Sequence, residues 1–425
     1  METLEARRRL FREQVDRLAA FSLDYIDRHR QDVHAIDRQR DNLLQMVTAC
    51  GEYLGDWPRA AQIALGLEEY MLRRGRWRSW ADHLEEIAHA LAEDHAPALE
   101  GRVWHALGNA YCGSGQWAAA IRAHRRAIDA LRRAGDPQGL AHALFDLGRT
   151  HWFRGEWREA LRRYRQADAH ARSLPGGSLL RARIANVIGL TYWGQGKWRR
   201  AVRSFRRALR LCPGGPEYAR NRGRMLSNLA LALTDLGRWE EAEQTYRTAL
   251  QFSEQAGDTT GLAYTWGDLG DLYRRQARWA EAEACLERAE SLWRETEDEA
   301  GLADLAEHRG RLYADLGRAT LARRWLRQAL TLWQDLGNEH KVAELCLELA
   351  KGAETAEEAA RWIARAATLA RRLRRSDLLL RILLDEGRTA WRRRHPLRAL
   401  RSLVGAVGHL LISLGNDRAR RAAQG

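Results

Sequence analysis

The chain has 425 residues and a formal charge of +14, and alanine, leucine, arginine and glutamate dominate it. Proline is limited to 7 residues and β-branched residues are few, so there is good material for helices and little for a sheet. Cys50, Cys112, Cys212, Cys285 and Cys346 form no Cys-x-x-Cys pair, which argues against a disulfide framework and against a zinc site.

The N-terminus, Met1-Glu-Thr-Leu-Glu-Ala-Arg-Arg-Arg, leads into an amphipathic stretch and not an apolar signal core. The longest apolar run, Leu403 to Leu414, is interrupted by glycine, histidine and serine. It falls short of the roughly 20 residues a membrane span needs. The expectation is a cytoplasmic protein with no membrane partner.

From about residue 101 a pattern repeats. The turn Gly115-Gln-Trp117-Ala-Ala-Ala120 recurs as Gly155-Glu-Trp157-Arg-Glu-Ala160, Gly196-Lys-Trp198-Arg-Arg-Ala201 and Gly237-Arg-Trp239-Glu-Glu-Ala242. Drifted copies stand at Ala277-Arg-Trp279-Ala-Glu-Ala282 and Gly317-Arg-Ala319-Thr-Leu-Ala322, and weaker ones near Ala359 and Ala399. Small residues precede each turn (Gly108, Gly148, Gly189, Ala230, Gly270, Gly310), usually with a large residue three positions later. A second alanine, such as Ala127 or Ala167, follows the first by seven. Offsets of three, four and seven put these residues on one face of a helix. Glycine or alanine at the crossing lets two backbones approach, and the tryptophan is expected to cover the hairpin mouth. Each unit reads as helix, turn, helix, loop, and must lean on its neighbours to bury its apolar face.

The segment Trp104-x-x-Leu107-Gly108-Asn109-Ala110-Tyr111, with Gly115-Gln116-Trp117, Ala120-Ile121 and Ala127, closely resembles the tetratricopeptide consensus. The resemblance implies an all-α fold, an α-solenoid wound as a right-handed superhelix of helix-turn-helix repeats. The expected organisation is an N-terminal helical segment over 1–100, six clear repeats over 101–336, two degenerate ones over 337–415 and a basic polar tail over 416–425. Connections such as Gly135-Asp136-Pro137 and Gly257-Asp258-Thr259 lengthen the unit, with the glycine ending one helix and the aspartate capping the next. This long-loop form is similar to kinesin light chains and to the sensor arrays of STAND-class bacterial regulators. Arg40–Val47, Gly55–Ala61 and Arg74–Arg78 resemble the helical lead-in of those arrays. No Gly-x4-Gly-Lys-Ser/Thr phosphate loop accompanies them.

In this family the first helix of each hairpin lines a concave groove. Carried over, that implies partner-binding candidates at Arg102, His105, Asn109, His142, Phe145, Arg149, Trp152, Arg183, Asn186, Trp193, Arg224 and Tyr264. Arginine clamps carboxylates and aromatics anchor apolar groups. Asn109 matches one position of the family's clamp for acidic chaperone tails, but His105 and Asp146 replace expected lysine and asparagine. The resemblance therefore does not imply that adaptor role.

Charge is zoned. Residues 175–225 hold 12 Lys+Arg against one acid, 226–360 hold 15 against 26, and 361–425 hold 16 against 4. Arg199, Arg203, Arg206 and Arg210, and Arg392, Arg393 and Arg394, form candidate basic surfaces. Leu403, Val407, Leu410 and Leu411 lie in a terminal helix too apolar for a solenoid cap, which points to a homodimer contact or a partner there. Histidines, carboxylates and serines show no metal or nucleophile spacing, so no cofactor, metal or catalytic residue is expected. The reading is a non-enzymatic scaffold for a protein or peptide partner, an acidic one being favoured by the basic zones. The alternatives are single-stranded nucleic-acid binding, disfavoured by the acidic middle zone, and a stand-alone small-molecule sensor.

Overall fold

The computed structural model describes residues 2–30, 32–74, 77–373, 379 and 382–384. Arg392, Arg393 and Arg394 and the terminal apolar residues Leu403, Val407, Leu410 and Leu411 lie outside them. Among the described residues there is no strand, and no helix is long and apolar enough to cross a membrane.

The chain divides between Ile184 and Ala185 into two compact units. Unit 1 contains α1 (Glu2–Arg28), α2 (Val33–Thr48), a π-helical turn at Ala49–Tyr53, α3 (Trp57–Gly66), α4 (Glu68–Arg74), α5 (Trp77–Glu93), α6 (Pro97–Gly113), α7 (Trp117–Ala134), α8 (Pro137–Phe153) and α9 (Trp157–Ala171). The boundary falls inside α10 (Ser178–Gly194). Unit 2 continues with α11 (Trp198–Leu211), a 3-10 turn at Pro216–Tyr218, α12 (Ala219–Asp235), α13 (Trp239–Gln255), α14 (Thr259–Arg275), α15 (Trp279–Glu295), α16 (Glu299–Asp315), α17 (Ala319–Asp335), α18 (Glu339–Lys351) and α19 (Ala356–Arg372). The hairpins pair α6 with α7 and α8 with α9 in unit 1. In unit 2 they pair α12 with α13, α14 with α15, α16 with α17 and α18 with α19.

Five hairpins close on the same kind of contact. The small residue of the first helix lies under a bulky side chain of the second: Gly108 under His124, Gly148 under Tyr164, Gly189 under Phe205, Gly270 under Leu286 and Gly310 under Leu326. A Cβ on Gly189 would stand 2.5 Å from the Phe205 ring, and one on Gly148 would stand 2.6 Å from the Tyr164 ring. The close alanines Ala120, Ala127, Ala160, Ala167, Ala201 and Ala208 are fully buried beside these crossings. Glycine loses about 1 kcal/mol of helix propensity, and the burial gained at the crossing offsets it.

The turns behave as spaced. Gly115, Gly155, Gly196, Gly237 and Gly317 adopt left-handed backbone, with φ between 68° and 78°. Ala277 holds the matching position at φ 58° despite its Cβ. The turn tryptophans differ from expectation. Trp117 stacks on Phe153 at 5.4 Å between ring centroids, but Trp198 and Trp239 stay 40% and 38% exposed. In the repeat after Trp198, the place that Phe153 holds relative to its turn glycine is taken by Asp235, which offers no ring. The connections also divide. Asp136 caps α8 by accepting the amide of Gly139 at 2.9 Å. Asp258 does not cap α14; its carboxylate takes the Arg224 guanidinium at 3.1 and 3.3 Å.

Two predictions follow from these backbone positions. Gly189→Ala lowers stability by about 1–3 kcal/mol, because the Phe205 ring is rigid and fully enclosed; the midpoint of urea unfolding measures it. Ala277→Gly raises stability by about 0.5–1 kcal/mol by relieving the left-handed alanine, and the same measurement moves the other way.

Candidate functional site

The first-helix face of unit 1 carries eight of the partner-binding candidates: Arg102, His105 and Asn109 on α6, His142, Phe145, Arg149 and Trp152 on α8, and Arg183 on α10. Five residues form one chain of polar contacts. Asn109 Nδ2 donates to Glu68 Oε1 at 3.1 Å, and Arg149 Nη2 donates to Asn109 Oδ1 at 3.3 Å. Arg149 also pairs with Asp146 at 3.1 Å, and Asp146 takes His105 Nε2 at 2.8 Å. Asn109 and Asp146 are buried. Two further members are not among the expected binding residues: Asp146, which fixes His105 and Arg149, and Glu68, which fixes Asn109.

Charge balance follows the geometry. Burial works against ionised Asp146, but Arg149 and the bond from His105 hold its carboxyl well below the usual carboxylate range. Burial also works against protonated His105, and the bond to Asp146 outweighs it, so the His105 pKa is raised. Its contribution to stability is present below the ordinary histidine value and is lost as pH rises through the raised one.

Arg102, His142 and Arg183 have no hydrogen bond or ion pair among the described residues. Arg102 and Arg183 are exposed and His142 is half-buried. The Arg183 guanidinium lies over the Phe145 ring, 5.4 Å from its centroid, a cation–π arrangement. Burial, then the charges of His105 and Arg183, lowers the His142 pKa. Trp152 packs edge-on against Phe153 and Trp157, as hairpin core.

The first-helix face of unit 2 is acidic. Asn186 accepts from Asn228 Nδ2 at 3.1 Å, and Trp193 Nε1 donates to Asp235 at 2.6 Å. Arg275 joins Asp235 at 2.8 Å and Asp271 at 2.7 Å, and Arg274 joins Asp271 at 2.8 Å and also Asp315. Lys341 holds Asp304 at 2.8 Å and Glu307 at 3.1 Å. Asp268 has no such partner among the described residues; burial, then Asp271 and Asp304, pushes its carboxyl up to about 8. Tyr264 stands 42% exposed, edge-on to Trp293 at 4.6 Å. Arg224 is drawn to Asp258 instead of standing free. The basic candidates Arg199, Arg203, Arg206 and Arg210 all lie on α11. The five cysteines are free and buried, and among the described residues no group of three or more His, Cys, Asp or Glu could hold a metal ion.

His124 is fully buried at the crossing over Gly108, and neither ring nitrogen has a hydrogen-bond partner. Burial, then the charge of nearby His105, pushes its pKa down from 6.5 to about 3. A lowered histidine pKa means stability that is complete above the unfolded value and lost as pH falls toward the folded one. Between about pH 6.5 and pH 5 that loss amounts to about 2 kcal/mol. His124→Phe removes this dependence, with Phe205 as precedent at the matching crossing. Urea unfolding at pH 7 and pH 5 checks it: the variant should lose about 2 kcal/mol less than the parent chain, and equal losses would refute the assignment.

A tetratricopeptide repeat family model matches residues 99–167 and 221–295, and a second tetratricopeptide repeat model matches 145–216. No curated protein matches the sequence. Among solved structures, a Rap protein complexed with competence and sporulation factor aligns at 12% identity and TM-score 0.56, over 82% of this chain and 97% of that one. The apo quorum sensor NprR from B. thuringiensis aligns at 15% and 0.55, over 84% and 99%. The Rap conjugation gene regulator of plasmid pLS20, in complex with the Phr* peptide, aligns at 13% and 0.54, over 84% and 95%. These likenesses concern the fold. With helices paired as hairpins and the repeat models matched over 99–216 and 221–295, the chain is a helical protein that carries tetratricopeptide repeats over that stretch.

Proposed function

We propose that this chain is a non-catalytic scaffold that holds a peptide segment of a partner protein on the first-helix face of unit 1. One observation carries the reading: Arg102 and Arg183 are exposed with no carboxylate partner among the described residues, Arg183 lying over the Phe145 ring, while Glu68, Asn109, Arg149, Asp146 and His105 are already bonded to each other. A fixed framework with free cations at its edge lowers the ordering cost of binding. The free guanidinium groups of Arg102 and Arg183 are cationic and the ring apolar, so the matching segment carries an acidic side chain or a terminal carboxylate beside an apolar residue. Solved structures of this fold include two in complex with named ligands, competence and sporulation factor and the Phr* peptide, which supports a peptide reading. The stretch 226–360, which supplies the hairpins of unit 2 from α13 onward, holds 26 acids against 15 Lys+Arg, which disfavours a nucleic-acid strand there.

Selection of displayed random peptides on the immobilised full chain tests the proposal. Enrichment of acidic–apolar sequences is expected, and R102E/R183E should weaken the best synthetic peptide by at least about tenfold in calorimetry. Absence of any enriched motif, or equal binding by the variant, would defeat the reading.

A further inference from the structure

Unit 2 presents a second charged surface, on second helices. Helix α11 buries Ala201, Val202, Phe205 and Ala208 on one side and exposes Arg199, Arg203 and Arg210 on the other. Arg199, Arg203 and Arg206 line a concavity with Arg238, floored by Val202 and Leu236. An adjoining depression shares Arg199, Arg203 and Leu236 and adds Lys197, Trp198 and Arg200. Glu241 is bonded there: Arg206 holds it at 2.6 Å and Arg238 also pairs with it. Arg199 and Arg203, one helical turn apart, have no carboxylate partner among the described residues. Like charges at that spacing repel on the free helix, and a bound anion relieves them.

The floor and the extent identify the occupant. Val202 and Leu236 are aliphatic, and two-pronged guanidinium groups around them match carboxylates on either side of an apolar residue. The cations from Arg199 to Arg210 span about 16 Å of helix, the length of about five extended residues. The stripe stops there. Glu240, Glu241 and Gln244 occupy on α13 the positions of Arg199, Arg200 and Arg203 on α11. A nucleic-acid backbone on so short a stripe would meet few cations, and its affinity depends on the number of phosphates neutralised.

We propose that this concavity docks a short acidic segment of a partner protein, with an aliphatic or aromatic residue among its carboxylates. It uses none of the residues of the unit 1 face, so the two readings succeed or fail separately.

The probe is a fluorescein-labelled peptide with a leucine flanked on both sides by runs of glutamate, titrated with the full chain at low and high salt. The parent chain should bind at low salt and weaken as salt rises. R199E/R203E should weaken binding by at least about tenfold, while R125E/R165E, an equal charge change on exposed arginines of unit 1, should alter it by less than about twofold. The titrations are run in an R102E/R183E background, so that acidic–apolar binding by the unit 1 face does not contribute, and replacing the leucine by serine should reduce the binding. Circular dichroism checks folding; if R199E/R203E is unfolded, R199Q/R203Q takes its place. The proposal is overturned if the parent chain does not bind, if R125E/R165E costs as much as R199E/R203E, or if the serine peptide binds as well. Tighter, R199E/R203E-sensitive binding of a thymidine oligonucleotide would overturn it in favour of nucleic acid.

Discussion

In five hairpins a residue without a side chain lies under a bulky one, and that crossing sets how closely the two helices approach. With Gly189 beneath Phe205 or Gly148 beneath Tyr164, the two helices of a hairpin approach until backbone meets ring. First helices of successive hairpins in turn lie close enough for their polar side chains to touch. Helix propensity alone would not produce it, since glycine is a poor helix former. Where the lid is His124 instead of Phe205 or Tyr164, the same packing encloses a titratable ring with no partner. The acid sensitivity expected of unit 1 then follows from packing and not from surface charge.

Once first helices are set at this distance, side chains one repeat apart become neighbours. His105 meets Asp146, Asn109 meets Arg149, Asn186 meets Asn228, and Asp235 meets both Trp193 and Arg275. These pairs are separated by 40 to 42 residues in sequence. All but the exposed Asp235–Arg275 bond are half-buried, and these satisfy groups that would otherwise be costly to enclose. The ladder also distinguishes residues that build the face from those that remain available on it. Arg149 and His105 read as binding residues by type, yet their bonding places them in the framework; Arg102 and Arg183 are left over.

The fold was legible in the sequence because its determinants are local. The glycine-tryptophan turn, the small crossing residue and the paired alanines all fall within one repeat, and the structure places them as their spacing requires. The face was less legible because its bonds join different repeats. Asp146 reads in isolation as a failed match to a clamp asparagine, whereas it is the partner of His105 and Arg149. A comparison of charges at matching positions of consecutive repeats would have paired them. Even that has a limit. Arg102 precedes Asp136 by the same 34 residues that separate Arg224 from Asp258. Asp136 caps its helix and leaves the arginine alone, while Asp258 takes the arginine and leaves the helix uncapped. A backbone amide and a guanidinium compete for one carboxylate at similar strength, and spacing does not decide between them.

That competition links the turn chemistry to the surfaces. An arginine on a first helix is available to a partner only where no carboxylate one repeat away has claimed it, and caps are what occupy those carboxylates. On second helices the rule is the same with different rivals: Glu241 engages Arg206 and Arg238, and nothing engages Arg199 or Arg203. Composition alone, with arginine everywhere, could not separate these cases. The separation arises from which acids the fold has already used, so the partner-facing charge of a repeat protein is the remainder after its internal pairing and not its net charge.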